Sequence, residues 1–221
     1  MMLKYSFKYI SDFMADLVFP KQCVLCQKSL MNYSDTAVCL SCLKRPPEPK
    51  VVRDDRHAFD EAVGAAEYVG FVKDAMLKFK FKSVRYYAKA FAFLIDRASA
   101  DRPYLKDALM CSVPLSKSRD REYNQTALIA RELAAMWGSD FKEDLLRKCH
   151  EVSPLSKMKL PERKLHIKNA IDVNPVYDIY GKDILVIDDI YTSGSTADEC
   201  AKTLKMHGAS RVYILCACYG L

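Results

Sequence analysis

The run ILVIDDIYTSGST, residues 184–196, carries more structural information than any other part of the chain. Its four leading apolar residues, Ile184, Leu185, Val186 and Ile187, predict a buried strand of a parallel sheet, because such strands are covered on both faces. The run breaks at two adjacent carboxylates, Asp188 and Asp189. Small and hydroxylated residues follow: Thr192, Ser193, Gly194, Ser195 and Thr196. Residues 197–207 then have the pattern of a helix, with Ala201 and Leu204 on its apolar side and Gly208 as the C′ residue. This order predicts a loop at the carboxyl end of a sheet strand, where open α/β sheets take their ligands.

Such a loop offers backbone N–H groups and hydroxyls to an anion, helped by the positive end of the following helix. Gly194 lets the backbone approach closely. Two carboxylates beside an anion cradle would repel that anion, so they need another partner, and a pair of vicinal sugar hydroxyls fits. The ligand implied carries a phosphate and a cis-diol, as ribose 5-phosphate does. An ordinary strand, turn and helix with an acidic cap is the alternative, but a cap needs one carboxylate and no hydroxyl-rich loop. No lysine follows the glycine, so this is not a Walker loop. The stretch resembles the 5-phosphoribosyl-1-pyrophosphate (PRPP) motif of the type I phosphoribosyltransferases. That resemblance implies that Asp188 and Asp189 hold the ribose 2′ and 3′ hydroxyls. It also implies that Thr192, Ser193, Gly194, Ser195 and Thr196 hold the 5′-phosphate.

With 221 residues, half of them hydrophobic, the chain can bury a substantial core. No apolar run approaches the ~18 residues a membrane helix needs, and residues 1–19 lack the uninterrupted apolar region of a signal peptide. These features predict a cytoplasmic protein. The net charge of +6 permits phosphate-rich partners without requiring them.

Residues 3–18 fit an amphipathic helix, with Phe7, Ile10, Met14, Leu17 and Val18 at helical spacing and both charge signs on the polar face. Two CxxC knuckles follow, Cys23 with Cys26 and Cys39 with Cys42, separated by twelve residues. Each turn aims two thiolates at one point, and together they predict a tetrahedral S₄ site of the kind zinc prefers. With all four positions filled by protein, the zinc is structural. The proline-rich link 44–50 marks the expected boundary between a 1–50 segment (helix, zinc finger and linker) and a 51–221 domain.

Residues 62–71 have β character and 73–98 read as one helix. Here Lys73, Lys78, Lys80, Lys82, Arg85 and Lys89 interleave with Phe79, Phe81, Tyr86 and Tyr87. Two readings stand: a helix that buries its aromatics and leaves its lysines in solvent, or a surface that tracks a phosphate backbone and stacks bases. Residues 107–113 predict a second buried strand, followed by a basic loop and a helix over 126–137. Lys117, Arg119 and Arg121 in that loop could neutralise a pyrophosphate leaving group. Asn124 either contacts the ligand or caps the helix. The basic, proline-punctuated stretch 145–170 predicts a long loop, either closing over the site or merely solvated. The last strand, 211–218, should lie beside the motif strand with Cys216 and Cys218 on one face. Cys111, Cys149 and Cys200 read as small core residues.

Taken together the sequence resembles the ComF family of competence-associated phosphoribosyltransferase-like proteins. The four-cysteine knuckle, residues 113–125 (VPLSKSRDREYNQ), the Glu162-Arg163 pair and the Asp188 to Thr196 loop occur in the family's order. The chain departs from the family at Ser153-Pro154-Leu155, where an amide is usual, and at His166, where an asparagine is usual. The resemblance implies an α/β fold, a type I phosphoribosyltransferase-like parallel sheet flanked by helices, with a small N-terminal zinc-binding segment. It implies PRPP with Mg²⁺ as ligand and a role in natural transformation. The further partners it implies are single-stranded DNA and a helicase-like and membrane-channel uptake machinery at the inner face of the membrane. A catalytic protein of this kind would displace pyrophosphate at ribose C1 with a nitrogen nucleophile, Asp188 and Asp189 anchoring the sugar and cations stabilising the leaving group. No C-terminal hood is expected after the last strand, so any cover for an acceptor must come from the zinc segment or the middle loop. The other class of function is a non-catalytic uptake adaptor that binds single-stranded DNA and uses the pocket only to sense ligand.

Overall fold

The structure, a computed structural model, describes residues 21–30, 36–82, 84–115, 123–148 and 171–220. The helix predicted over 3–18, the cations Lys117, Arg119 and Arg121, Cys149, and the middle-loop residues 153–155, 162–163 and 166 lie outside the described residues. In chain order the strands are β1 (Lys50–Val52), β2 (Glu61–Glu67), β3 (Leu109–Ser112), β4 (Leu146–Lys148), β5 (Ile171–Val173), β6 (Asp183–Tyr191) and β7 (Arg211–Tyr219). The helices are α1 (Leu40–Leu43), α2 (Gly70–Phe81), α3 (Tyr87–Ala98), α4 (Gln125–Trp137) and α5 (Ser195–Met206), with a 3₁₀ turn at Pro103–Lys106.

The motif strand is longer than its apolar run predicts. β6 passes through Asp188 and Asp189, because β7 runs parallel beside it as far as Ile190 opposite Cys218 and Tyr191 opposite Tyr219. Sheet pairing satisfies backbone groups that a loop would have had to satisfy otherwise. Both carboxylates therefore sit on the rim of the sheet and not on a free loop. The sheet order is β1-β2-β7-β6-β3; β1 is antiparallel to β2, and the other neighbours are parallel.

Successive residues of the central strands point to opposite faces, and each face has its own helices. Leu185, Ile187, Tyr213 and Leu215 belong to a cluster completed by Met76 and Phe79 of α2, Phe91 and Ile95 of α3, and Ile129 and Leu133 of α4. Ile184, Val186, Val212 and Ile214 pack on the other side with Ala197, Ala201 and Leu204 of α5 and with Leu146 and Ile171. Cys216 falls in this second cluster and Cys218 in the first, so the two do not share an environment. Cys111 and Cys200 are fully buried, as core residues should be. The only tryptophan, Trp137, donates its indole N–H to Asp96 at 2.7 Å and ties α4 to α3.

Three predicted elements differ. The β character over 62–71 is strand only to Glu67; Gly70, at φ 48°, starts α2. The single helix predicted over 73–98 is two helices. The Tyr123 hydroxyl donates to the Phe79 carbonyl at 2.5 Å, and Gln125 Nε2 donates to the Lys80 carbonyl at 3.1 Å. Those are acceptors a continuing helix would have used, so partners from another part of the chain terminate α2. Finally, Leu146–Lys148, inside the stretch predicted as a long loop, is a strand that pairs antiparallel with Ile171–Val173 just beyond that stretch, Leu146 opposite Val173 and Lys148 opposite Ile171.

The cysteine segment docks on the first cluster. Cys23, Val24, Ala37 and Val38 are buried in it. The Gln22 N–H donates to the Tyr86 hydroxyl at 3.1 Å, and Lys78 Nζ donates to Gln22 Oε1 at 3.3 Å.

Candidate functional site

At the carboxyl ends of β3 and β6 lies a cavity of about 290 Å³. Asp188, Asp189 and Thr196 line it, as do three charged residues the motif does not contain: Lys80, Lys148 and Glu199. Asp188 accepts the Asp189 N–H at 2.8 Å. Burial, then the neighbouring Asp189 charge, pushes the Asp188 carboxyl up to about 7. Asp189 Oδ2 instead meets the Lys80 ammonium at 2.7 Å, with both side chains largely withdrawn from water. Glu199 Oε1 is buried without a hydrogen-bond partner among the described residues. A buried acceptor in that state calls for a donor from a ligand or from water.

The hydroxyl loop turns on Gly194, which has the left-handed φ of 76°. A Cβ there would stand 2.7 Å from Tyr191 Oη, so the position needs glycine for space as well as conformation. The N-cap residue of α5 is Gly194, and Ser193 Oγ accepts the Ser195 N–H at 3.4 Å, so the acidic-cap reading of Asp188 and Asp189 has no counterpart. The Ser193 and Ser195 hydroxyls bond each other at 2.8 Å. A helix start with hydroxyls beside it is a fit place for an anion.

The loop separates two spaces. Thr196 faces the first cavity, whereas Thr192 and Ser193 line a second of about 360 Å³ with Lys50, Arg56 and His57. Gly194 and Ser195 line neither. The segment behind the loop braces it: the Ala58 N–H donates to Asp198 at 2.7 Å, and His57 stacks on Phe59 at 4.8 Å. Sequence reasoning missed this brace, since nothing in residues 53–60 marks a contact with a helix 140 residues away.

Asn124 caps α4. Its Oδ1 accepts from the Thr126 and Ala127 amides, and its Nδ2 donates to the Val113 carbonyl at 3.2 Å. Both ends of the side chain are thus engaged, although it still borders the cavity. Lys80 was visible in the sequence only as one cation among six. Its helical phase, four residues after the buried Met76 and next to the buried Phe79, was the available signal that it turns inward.

The four N-terminal cysteines do converge. Their sulfurs lie within 4.8 Å of one another, and Cys26 Sγ is 3.6 Å from Cys39 Sγ. A metal at about 2.3 Å from each of four thiolates requires sulfurs about 3.8 Å apart, so the cluster fits a tetrahedral ion. The Cys39 N–H donates to Cys23 Sγ at 3.3 Å, which holds the two knuckles together. Among the described residues no other group of side chains gathers in this way.

The fold is a mixed α/β one, with a mostly parallel sheet and a four-cysteine cluster near the N-terminus. Solved structures with a similar fold include an allosteric regulatory enzyme of purine biosynthesis. The match has a TM-score of 0.45 and 16% identity, over 64% of this chain and 30% of that one. The adenine phosphoribosyltransferase of Saccharomyces cerevisiae matches with a TM-score of 0.38 and 18% identity, over 60% and 69% of the two chains. No family model matches the chain.

Its homologues carry names from DNA use and competence. The DNA utilization protein YhgH of Salmonella typhi is 27% identical over 188 residues, 81% of this chain and 77% of the relative. YhgH of Escherichia coli K12 is 25% identical over 187 residues, again 81% and 77%. Competence protein F of Haemophilus influenzae is 22% identical over 200 residues, 87% and 82% of the two chains. The ComF resemblance carried by the sequence motifs agrees with these names.

Proposed function

We propose that this chain binds PRPP with Mg²⁺ at the β6–α5 loop and serves in the uptake or use of DNA. The observation that carries the reading is the paired carboxylates on the sheet rim next to a helix start opened by a left-handed glycine. Asp188 and Asp189 take the ribose hydroxyls, and the Thr192 to Thr196 loop takes the 5′-phosphate. Lys117, Arg119 and Arg121, which lie in sequence between β3 and α4, supply cations on the pyrophosphate side, and Asn124 caps α4 at the edge of the cavity. Mg²⁺ neutralises the charge of the pyrophosphate, held mainly by ligand oxygens and water. Zn²⁺ is held by Cys23, Cys26, Cys39 and Cys42 as a structural ion. If a nitrogen acceptor enters, the chain acts as a phosphoribosyltransferase, with electrostatic positioning as its main contribution.

The experiment is thermal unfolding of the zinc-loaded protein with and without PRPP and Mg²⁺. Binding to the native state alone raises the midpoint. A raised midpoint in the parent and none in Asp188→Ala/Asp189→Ala supports the reading; equal shifts in both contradict it.

An adaptor that binds single-stranded DNA is the second reading, and exposure on α2 and α3 favours it in reduced form. Lys73, Lys82, Arg85 and Lys89 are exposed, and Phe81 is 55% exposed. Phe79 and Tyr87 are buried, so they form no stacking platform. Lys78 is engaged by Gln22 and Lys80 by Asp189, which removes both from the stripe of cations. Charge reversal at Lys82, Arg85 and Lys89 should abolish single-strand affinity and spare PRPP binding, with a steep salt dependence in the parent. No single-strand affinity in the parent at low salt would contradict this reading.

A further inference from the structure

Lys80 is the best-placed cation of the described site, and neither its motif nor its neighbours in sequence assign it a role. It stands on the last turn of α2, and its ammonium reaches Asp189 Oδ2 at 2.7 Å inside the cavity. Its side chain is 11% exposed. A lysine so far withdrawn from water gives up hydration that a surface lysine keeps, which requires a partner in compensation.

Its position is built by other residues. Gln125, 1% exposed, spends its amide on the Lys80 carbonyl, and Tyr123 spends its hydroxyl on the Phe79 carbonyl. These two residues flank the Asn124 cap, so one short stretch fixes the start of α4 and the end of α2 together. Behind Lys80, Phe79 is fully buried against Phe91. The helix end cannot shift without unmaking these contacts.

Charge then dictates what the lysine does. Resting on Asp189, it occupies one of the two oxygens to which a ribose hydroxyl could donate. Asp188 and Asp189 would also repel a pyrophosphate placed beside them, unless a cation stood between. Both difficulties end if the ammonium moves. We propose that Lys80 is an exchangeable counter-ion: it pairs with Asp189 in the free protein and passes to the pyrophosphate when ligand enters, releasing Asp189 to accept a sugar hydroxyl. Tyr123 and Gln125 are positioning residues for it. The site so built discriminates by the leaving group. A ligand with diol and 5′-phosphate alone gains no contact from Lys80 and leaves the Asp189 pair to be broken without replacement.

The inference rests on the PRPP reading, and the experiment separates the two. Calorimetric titration of the zinc-loaded full chain compares PRPP with Mg²⁺ against ribose 5-phosphate, in the parent, Lys80→Met, Lys80→Arg and the exposed control Lys82→Met. A charge-assisted contact of this kind predicts at least a tenfold loss of PRPP affinity in Lys80→Met, restored in part by Lys80→Arg. Ribose 5-phosphate affinity should change less than threefold or rise, and Lys82→Met should leave both unchanged. A parent that binds PRPP, with Lys80→Met matching it, overturns the inference and leaves the PRPP reading intact. Equal losses for both ligands would make Lys80 a prop for Asp189 and also overturn it. A parent that binds no PRPP removes the reading itself, and the inference with it.

Discussion

Asp188 is the residue whose chemistry differs most from its sequence neighbour's. The two carboxylates are adjacent in the chain, yet only Asp189 has a cation, while burial and then the Asp189 charge lift the Asp188 carboxyl to about 7. In an unfolded chain an aspartate titrates near ~4. Between those values the native state holds the extra proton, so the Asp188 contribution is fully present below about pH 4 and is lost as pH rises through about 7. Melting followed from pH 4 to 8 should show this decline in the parent and a shallower one in Asp188→Asn; identical slopes would contradict the assignment. Gly194 gives a second test. Gly194→Ala meets both a left-handed φ and the Tyr191 hydroxyl, and should cost about 1–2 kcal/mol. Tyr191→Phe in the same chain removes the close atom but not the backbone strain, so denaturant melts should show partial recovery. Asp188, Asp189 and Gly194 were legible because the residue type states the requirement. Lys80 carried only the weak signal of its helical phase, and Glu199 carried none, because a glutamate in a helix looks the same whether it faces water or a cavity.

At the scale of elements, hydrophobic patterning located the central strands and the helix after the loop closely. Ile184 to Ile187 are fully buried, and Gly208, at φ 89°, follows α5 where the C′ residue was expected. The pattern failed where tertiary partners decide. Strand β6 outlasts its apolar run because β7 pairs with it, and the long predicted helix divides because Tyr123 and Gln125 end α2 from 44 and 45 residues away. Removing those donors tests the division. Tyr123→Phe and Gln125→Leu should each destabilise by about 1 kcal/mol, somewhat more where the carbonyl is left buried and unpaired. Chemical denaturation measures it; unchanged stability in both would mean that α2 ends for another reason.

The four-cysteine segment and the sheet share one core. Cys23, Val24 and Val38 lie in the same cluster as Phe79 and Phe91, and Gln22 links to both Tyr86 and Lys78. Metal removal should therefore loosen α2 and α3 as well as the cysteine segment. A chelator, or Cys39→Ser with Cys42→Ser, should lower the melting temperature of the whole protein in a single transition. A chelated protein that melts at the parent temperature would show the segment to be energetically separate. The cysteine spacing made the cluster legible from the chain alone; its docking surface was not, since docking depends on which helix faces it.

The central claim is that the β6–α5 loop and its two aspartates form a PRPP site. Isothermal titration of the zinc-loaded protein with PRPP and Mg²⁺, repeated on Asp188→Ala/Asp189→Ala, tests it most directly. The account predicts one saturable site in the parent and none in the double variant. Saturable binding that survives the loss of both carboxylates, or its absence from the parent, would contradict it.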